Sequence, residues 1–194
     1  MSQPIGQTRI LSALARYTIQ NLPKTLLFIG DTGCGKKTVA RYLASKLQLD
    51  FVELESSIKM EDIQDFLYST LNTVYLIDLD RFSEKQQTQF LKFIEEPSKA
   101  VYTILTASSE AMVLPTIINR CIKYTFDSYT VEQLQEITGN SNLNPMTVEI
   151  FKTPGKLKNL TEASFKDILA LANKVLYEVV QSLQKLLQKF FVSP

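Results

Sequence analysis

The chain of 194 residues has no histidine. That excludes imidazole as a general acid or base and removes the common His-ligated metal sites. Cysteine is scarce: Cys34 and Cys121 lie far apart in the sequence. They form neither a disulfide framework nor a zinc knuckle, and the expectation is two reduced thiols. An excess of one charge sign is also lacking, since 21 Lys and Arg against 20 Asp and Glu leave a net charge of +1. No broad basic field for nucleic acid follows from that balance, so contact with DNA is expected to be local or shared with partners. No apolar run approaches the length of a bilayer span, and Met1-Ser2-Gln3-Pro4 lacks the features of a signal peptide. The expectation is a soluble, cytoplasmic protein with no membrane contact. Internal repeats and low-complexity tracts are missing too. What remains is ordinary globular composition, 45% hydrophobic and 21% charged, enough for one large domain with a small appendage.

One stretch organises the chain, the run from Leu26-Leu27-Phe28-Ile29 through Gly30-Asp31-Thr32-Gly33-Cys34-Gly35 to Lys36-Lys37-Thr38. It reads as a buried strand, a glycine-rich turn and a helix start. Gly30, Gly35 and Lys36 have the spacing of a phosphate-binding loop, G-x-x-x-x-G-K. Such a loop offers backbone N–H groups and the positive end of a helix to phosphate. Asp31, Thr32, Gly33 and Cys34 complete the cradle, and Lys36 is expected to reach the terminal phosphates. The next position should be Ser or Thr, whose hydroxyl binds Mg²⁺. Here it is Lys37, an added cation that competes with Mg²⁺, and Thr38 comes one place late. Thr38 serves as a metal ligand only if the helix start slips by a residue. The alternative is a tight strand–helix turn that happens to use glycine.

The elements read off in order. An amphipathic helix is expected over residues 5–21, with Ile10, Leu11, Leu14, Ala15, Thr18 and Ile19 on one side. A strand over 25–29, a helix over 36–47 and a strand over 51–55 follow, then a helix over 60–71. Thr73–Asp78 is a near-continuous apolar run, as in strands buried on both faces of a parallel sheet. A helix over 83–95 with Ser83 as N-cap, a strand over 101–106, a short helix near 110–113 and a strand over 122–126 complete the alternation. The pattern then becomes helical only: 131–138, 144–151, a turn at Thr153-Pro154-Gly155, and a long apolar stripe over about 162–192. The alternation predicts an α/β domain with a largely parallel sheet over residues 1–127.

Asp78 ends an apolar strand, the place of the acidic residue that orients Mg²⁺ or its water in these ATPases. Leu79 then stands where a water-activating glutamate is expected, and leucine cannot be a general base. Asp80 follows and is expected to be solvated on a loop.

These residues lead to a resemblance. Ile5-Gly6-Gln7, the strand into Gly30, Leu91-Lys92-Phe93-Ile94-Glu95-Glu96-Pro97, Thr103–Ser108 and Leu114-Pro115-Thr116-Ile117-Ile118-Asn119-Arg120-Cys121 occur in the order found in AAA+ clamp-loader ATPases. The chain resembles the delta-prime and gamma/tau subunits of bacterial DNA polymerase III, well over residues 4–127 and loosely to about 160. The resemblance implies an AAA+ P-loop NTPase domain and a small all-α lid over 128–160; the C-terminal helix over 161–194 is expected to pack along the lid, the alternative being a collar-like contact with other subunits. It implies a subunit of a hetero-oligomeric ring that, with other clamp-loader subunits, places the sliding clamp on primed DNA. Arg120 matches the arginine finger given to a neighbour's ATP, with Asn119 in place of the usual Ser. Ser108 matches the sensor whose hydroxyl meets the γ-phosphate or the lytic water. Lys156 matches a basic sensor of the lid. The alternatives are a surface arginine, an ordinary strand-end serine and a solvated lysine. The four-cysteine zinc module is missing, the collar is absent or reduced to the final helix, and the catalytic glutamate is replaced. The expected function is a delta-prime-like subunit that binds ATP with weak or absent hydrolysis of its own. The alternative is a gamma-like ATPase that splits its own ATP through Lys36, Asp78 and Ser108. A small phosphotransferase fits less well, because it leaves the Glu95-Glu96-Pro97 and Asn119-Arg120-Cys121 segments unexplained.

Overall fold

The computed structural model describes residues 2–55, 57, 72–139, 143 and 152–158, and beyond them 173, 176, 177 and 179–181. The chain divides into two compact units, Met1–Lys156 and Leu157–Pro194. The helices expected over 60–71 and 144–151, and most of the long stripe over 162–192, lie outside the described residues. In the second unit, residues 173, 176, 177 and 179–181 are helical, and Leu176, Tyr177, Val179 and Val180 are exposed.

The first unit holds five strands: β1 (Thr25–Ile29), β2 (Asp50–Leu54), β3 (Thr73–Asp78), β4 (Val101–Ala107) and β5 (Ile122–Thr125). They form one parallel sheet in the order β2-β3-β4-β1-β5. All residues of β1 and β4 and the first five of β3 are buried, which explains their unbroken apolar runs. Side chains alternate between the sheet faces with period two. Leu26, Phe28, Val74, Leu76, Tyr102 and Ile104 pack in one cluster with α1 (Thr8–Leu14) and α2 (Lys36–Lys46). Leu27, Ile29, Tyr75, Ile77, Val101 and Leu105 pack in the other with α3 (Glu84–Glu95) and α4 (Pro115–Ile118). Each fully buried aliphatic side chain contributes roughly 1.5–3 kcal/mol to this three-layer core.

The first helix is shorter than its periodicity suggests. It ends at Leu14, because Lys46 Nζ of α2 donates to the carbonyls of Ala15 at 2.7 Å and Leu14 at 3.4 Å. A cation at a helix C-terminus satisfies carbonyls that lack an intrahelical partner. The following turn is closed by Asn21 Oδ1, which accepts from Thr18 N at 2.6 Å. Ile19, expected on the buried side, is therefore exposed. The α3 helix starts as expected: Ser83 and Gln86 form a reciprocal capping box. Two further helices follow the sheet, α5 (Val131–Thr138) and α6 (Pro154–Lys158). The turn expected at Thr153-Pro154-Gly155 is instead the start of α6, as suits a proline whose missing N–H is an orphan there anyway. Among the described residues, no helix is long and apolar enough to cross a membrane.

Candidate functional site: a glycine loop and the strand ends beside it

Parallel strands deliver their chemistry to one edge. Ile29 of β1 is level with Ala107 of β4, and Asp78 of β3 is level with Thr106. The glycine loop after β1, Asp78 and Ser108 therefore gather at the carboxyl end of the sheet, where open α/β sheets bind ligands. Gly30 N donates to Ala107 O at 3.1 Å and ties the loop to the end of β4.

Within the loop, Gly33 and Gly35 have φ of +85° and +95°, a region that strains any side chain. Lys36 Nζ folds back onto the carbonyls of Gly30 and Asp31, the latter at 3.1 Å. Asp31 and Thr32 are exposed, and Cys34 is buried. Burial pushes the Cys34 thiol above its usual range, with Lys36 acting against that rise. Lys37 stands apart from the cradle: its ammonium pairs with Glu53 of β2, and Arg41 joins the same carboxylate at 2.6 Å. Glu53 thus draws the Lys37 charge to the side of α2. Thr38 is exposed in the first turn of α2.

Asp78 accepts from Thr106 Oγ1 at 3.2 Å and pairs with Arg81 Nε at 3.2 Å. Leu79, at the position of the missing glutamate, is fully buried. It begins a 3₁₀ turn, Leu79–Arg81, that redirects the chain. Asp80 is consequently not solvated on a loop: its carboxylate accepts from Ser108 N at 2.8 Å and from Ser108 Oγ at 3.1 Å. The 3₁₀ turn that buries Leu79 is what brings Asp80 to Ser108.

Arg120 lies elsewhere. It precedes β5, whose first residue pairs with Leu26 near the start of β1. That places it at the amino end of the sheet, away from the chain's own glycine loop. Its guanidinium donates to Thr116 O at 2.9 Å and pairs with Glu95 at 2.8 Å. Both side chains are about half exposed. The Glu95-Glu96-Pro97 and Asn119-Arg120-Cys121 segments therefore meet.

Four residues, Gln87, Tyr129, Thr153 and Gly155, make contacts that the sequence reading missed. Gln87 of α3 is buried and donates to Met112 O at 2.8 Å, with longer contacts to Phe82 O and Leu79 O. Its Oε1 accepts from Leu114 N at 3.1 Å. One amide thus joins the turn after Asp78 to the segment that leads into α4 and Arg120. Tyr129 donates from its hydroxyl to Cys34 O at 2.8 Å. Thr153 Oγ1 donates to Thr32 O at 2.9 Å, and Gly155 N donates to Gly33 O at 3.0 Å. Lys156 is exposed, and its backbone N is among the atoms nearest Gly33. No local pattern marks these contacts: those of Tyr129, Thr153 and Gly155 join residues about 95 to 122 positions apart, and those of Gln87 with Met112 and Leu114 join residues 25 and 27 apart.

The described residues contain no group of three or more His, Cys, Asp or Glu side chains placed to hold a metal.

Comparison with known proteins follows the same lines. Residues 49–130 match the family model described as DNA polymerase III, delta subunit. The ATP-dependent protease ATPase subunit HslU of Campylobacter jejuni is 27% identical over 135 residues, which cover 66% of this chain and 29% of HslU. The Thermotoga maritima RuvB Holliday junction branch migration motor superposes with a TM-score of 0.59 at 24% identity, covering 70% of this chain and 50% of RuvB. A DNA polymerase III gamma subunit-related protein from Thermotoga maritima superposes with a TM-score of 0.53 at 17% identity, covering 75% of this chain and 53% of its own. The chain thus spans about half of these solved structures and under a third of the curated relative. The chain has the fold of the AAA+ P-loop NTPases, and its residues 49–130 are similar to the DNA polymerase III delta subunit family.

Proposed function

We propose that this chain is a clamp-loader subunit of the delta-prime kind in DNA replication. It holds ATP at Gly30–Lys36, hydrolyses it weakly or not at all, and donates Arg120 to the nucleotide of a neighbouring subunit. The observation that carries this reading is the separation of Arg120 from its own loop at opposite ends of one parallel sheet. An arginine so placed cannot reach its own phosphates, yet it is half exposed and available to a neighbour. A finger of this type stabilises charge on the transferring phosphoryl group. Weak hydrolysis follows from Leu79, which is buried and carries no base, and from Asp80, whose carboxylate is engaged by Ser108. In this reading residues 128–160 form a lid with Lys156 near phosphate, and 161–194 form a collar-like helix. The partners are the other subunits of a hetero-oligomeric ring, the sliding clamp and primed DNA, and the location is cytoplasmic.

The gathering of Lys36, Asp78 and Ser108 at one sheet edge favours a second reading, a gamma-like subunit that splits its own ATP. Two measurements separate them. The isolated protein is expected to bind ATP with little turnover; brisk Mg²⁺-dependent hydrolysis sinks the first reading. Arg120→Ala is expected to lower the DNA-stimulated ATPase of a co-purifying partner subunit by about 10³-fold or more, the low end for such fingers. An unchanged partner rate removes the finger assignment.

A further inference from the structure

The glycine loop is gripped from outside through three consecutive carbonyls. Thr32 O accepts from Thr153 Oγ1, Gly33 O from Gly155 N, and Cys34 O from Tyr129 Oη. In a planar trans peptide, the carbonyl of one residue points opposite to the N–H of the next. Holding those carbonyls outward therefore aims the N–H groups of Gly33, Cys34 and Gly35 to the other side of the loop. Of these, Cys34 N is taken by Asp31 O at 3.1 Å, closing the turn. By the same peptide geometry Gly33 N and Gly35 N are turned away from the gripping side chains, as a phosphate cradle requires. The grip is also steric. A Cβ on Gly155 would lie 2.6 Å from Gly33 Cα, and a Cβ on Gly33 would lie 2.9 Å from both Gly155 Cα and Thr153 Oγ1. A Cβ on Gly35 would meet the Tyr129 hydroxyl at 2.8 Å. The contact thus admits glycine alone on both sides. Thr153 is 2% exposed, so its hydroxyl is committed to this bond.

We propose that Thr153, Gly155 and Tyr129 are positioning residues that hold the glycine loop in its phosphate-accepting form. The 152–156 segment therefore sets the loop's affinity for a polyphosphate through the backbone rather than by touching the ligand. This rests on Gly30–Lys36 being a phosphate site. It adds that the site is assembled across the chain: a strand–loop–helix of some 15 residues cannot orient its own amides without donors from about 95 to 120 positions later.

Binding of ATP and of inorganic tripolyphosphate to the native chain tests it, with Lys36→Ala as the control for the site. Thr153→Val and Tyr129→Phe each delete one hydroxyl with little change of shape. Each is expected to weaken both probes about three- to tenfold, the effect of one neutral hydrogen bond. Thr153→Ser, which keeps the hydroxyl, is expected to bind as the native chain does. A lost fold would lower affinity too, so the thermal midpoint of each variant is measured alongside. Amide exchange at Gly33 and Gly35 is expected to quicken in the two hydroxyl-deletion variants. If Lys36→Ala abolishes binding while Thr153→Val and Tyr129→Phe bind as before, positioning is overturned and the phosphate reading stands. Tighter binding in those variants also overturns it, since the contact would then be a closure. If the native chain binds neither probe, the phosphate reading is lost and this proposal falls with it.

Discussion

Single residues in this chain are explained by the partner each finds. Lys37 shows this: the sequence puts a second cation beside the phosphate lysine, but Glu53 pairs with it from the neighbouring strand. Replacing Lys37 by Thr restores the motif's hydroxyl, and Mg²⁺-dependent ATP affinity is expected to rise at least several-fold in an equilibrium titration. Gln87 is the other instructive case. A buried amide is stable only if it is hydrogen-bonded, and here both its ends are used, by Met112 O and Leu114 N. Gln87→Leu keeps the volume but orphans those backbone groups. A loss of about 1–3 kcal/mol in urea unfolding is the expected result, the cost of an unsatisfied buried group. Neither role was legible locally: a glutamine in a helix usually faces water, and a lysine beside a phosphate lysine looks like part of the same site.

At the scale of the element, local chemistry governs where helices start and tertiary contacts govern where they stop. Ser83 and Gln86 are three apart in the sequence and cap α3 reciprocally, so its start is written in four residues. Ser83→Ala is expected to cost about 1 kcal/mol, read as a shifted unfolding midpoint. The end of α1 depends on Lys46, more than thirty residues away, and the apolar spacing running on to Ile19 misleads for that reason. β1, β3 and β4 were legible because burial on both faces leaves an unbroken apolar signature. The exposed edge strand β5 has no such signature, yet its placement beside β1 decides where Arg120 lies.

For the molecule as a whole, the sheet has two working ends. The carboxyl end gathers the glycine loop, Asp78 and Ser108, while the amino end presents Arg120 on Glu95. Burial across this body also makes stability depend on pH in the alkaline range. Burial pushes the Cys121 thiol up to about 12 from 9.0, and it raises Tyr124 above 10.0, with the Tyr17 hydrogen bond adding to the rise. The folded state then keeps protons that the unfolded chain has released. Stability is therefore full below about pH 9 and falls as pH rises above it. Urea midpoints measured between pH 8 and 11 are expected to decline over that range, and a Cys121→Ser variant is expected to decline less.

By itself the amino-acid sequence determined the phosphate-loop motif at Gly30–Lys36, the buried strands, the start of α3 and the absence of a base at Leu79. Each of these is a short-range pattern, set by backbone geometry, capping or unbroken apolar character. The tertiary structure alone decided the parallel order β2-β3-β4-β1-β5, the pairing of Asp80 with Ser108, and the parking of Arg120 on Glu95. It also decided the grip of Thr153, Gly155 and Tyr129 on the glycine loop. Those contacts join residues 23 or more positions apart. Spacing within a single segment cannot encode them, because they exist only once the sheet has brought the segments to a common edge.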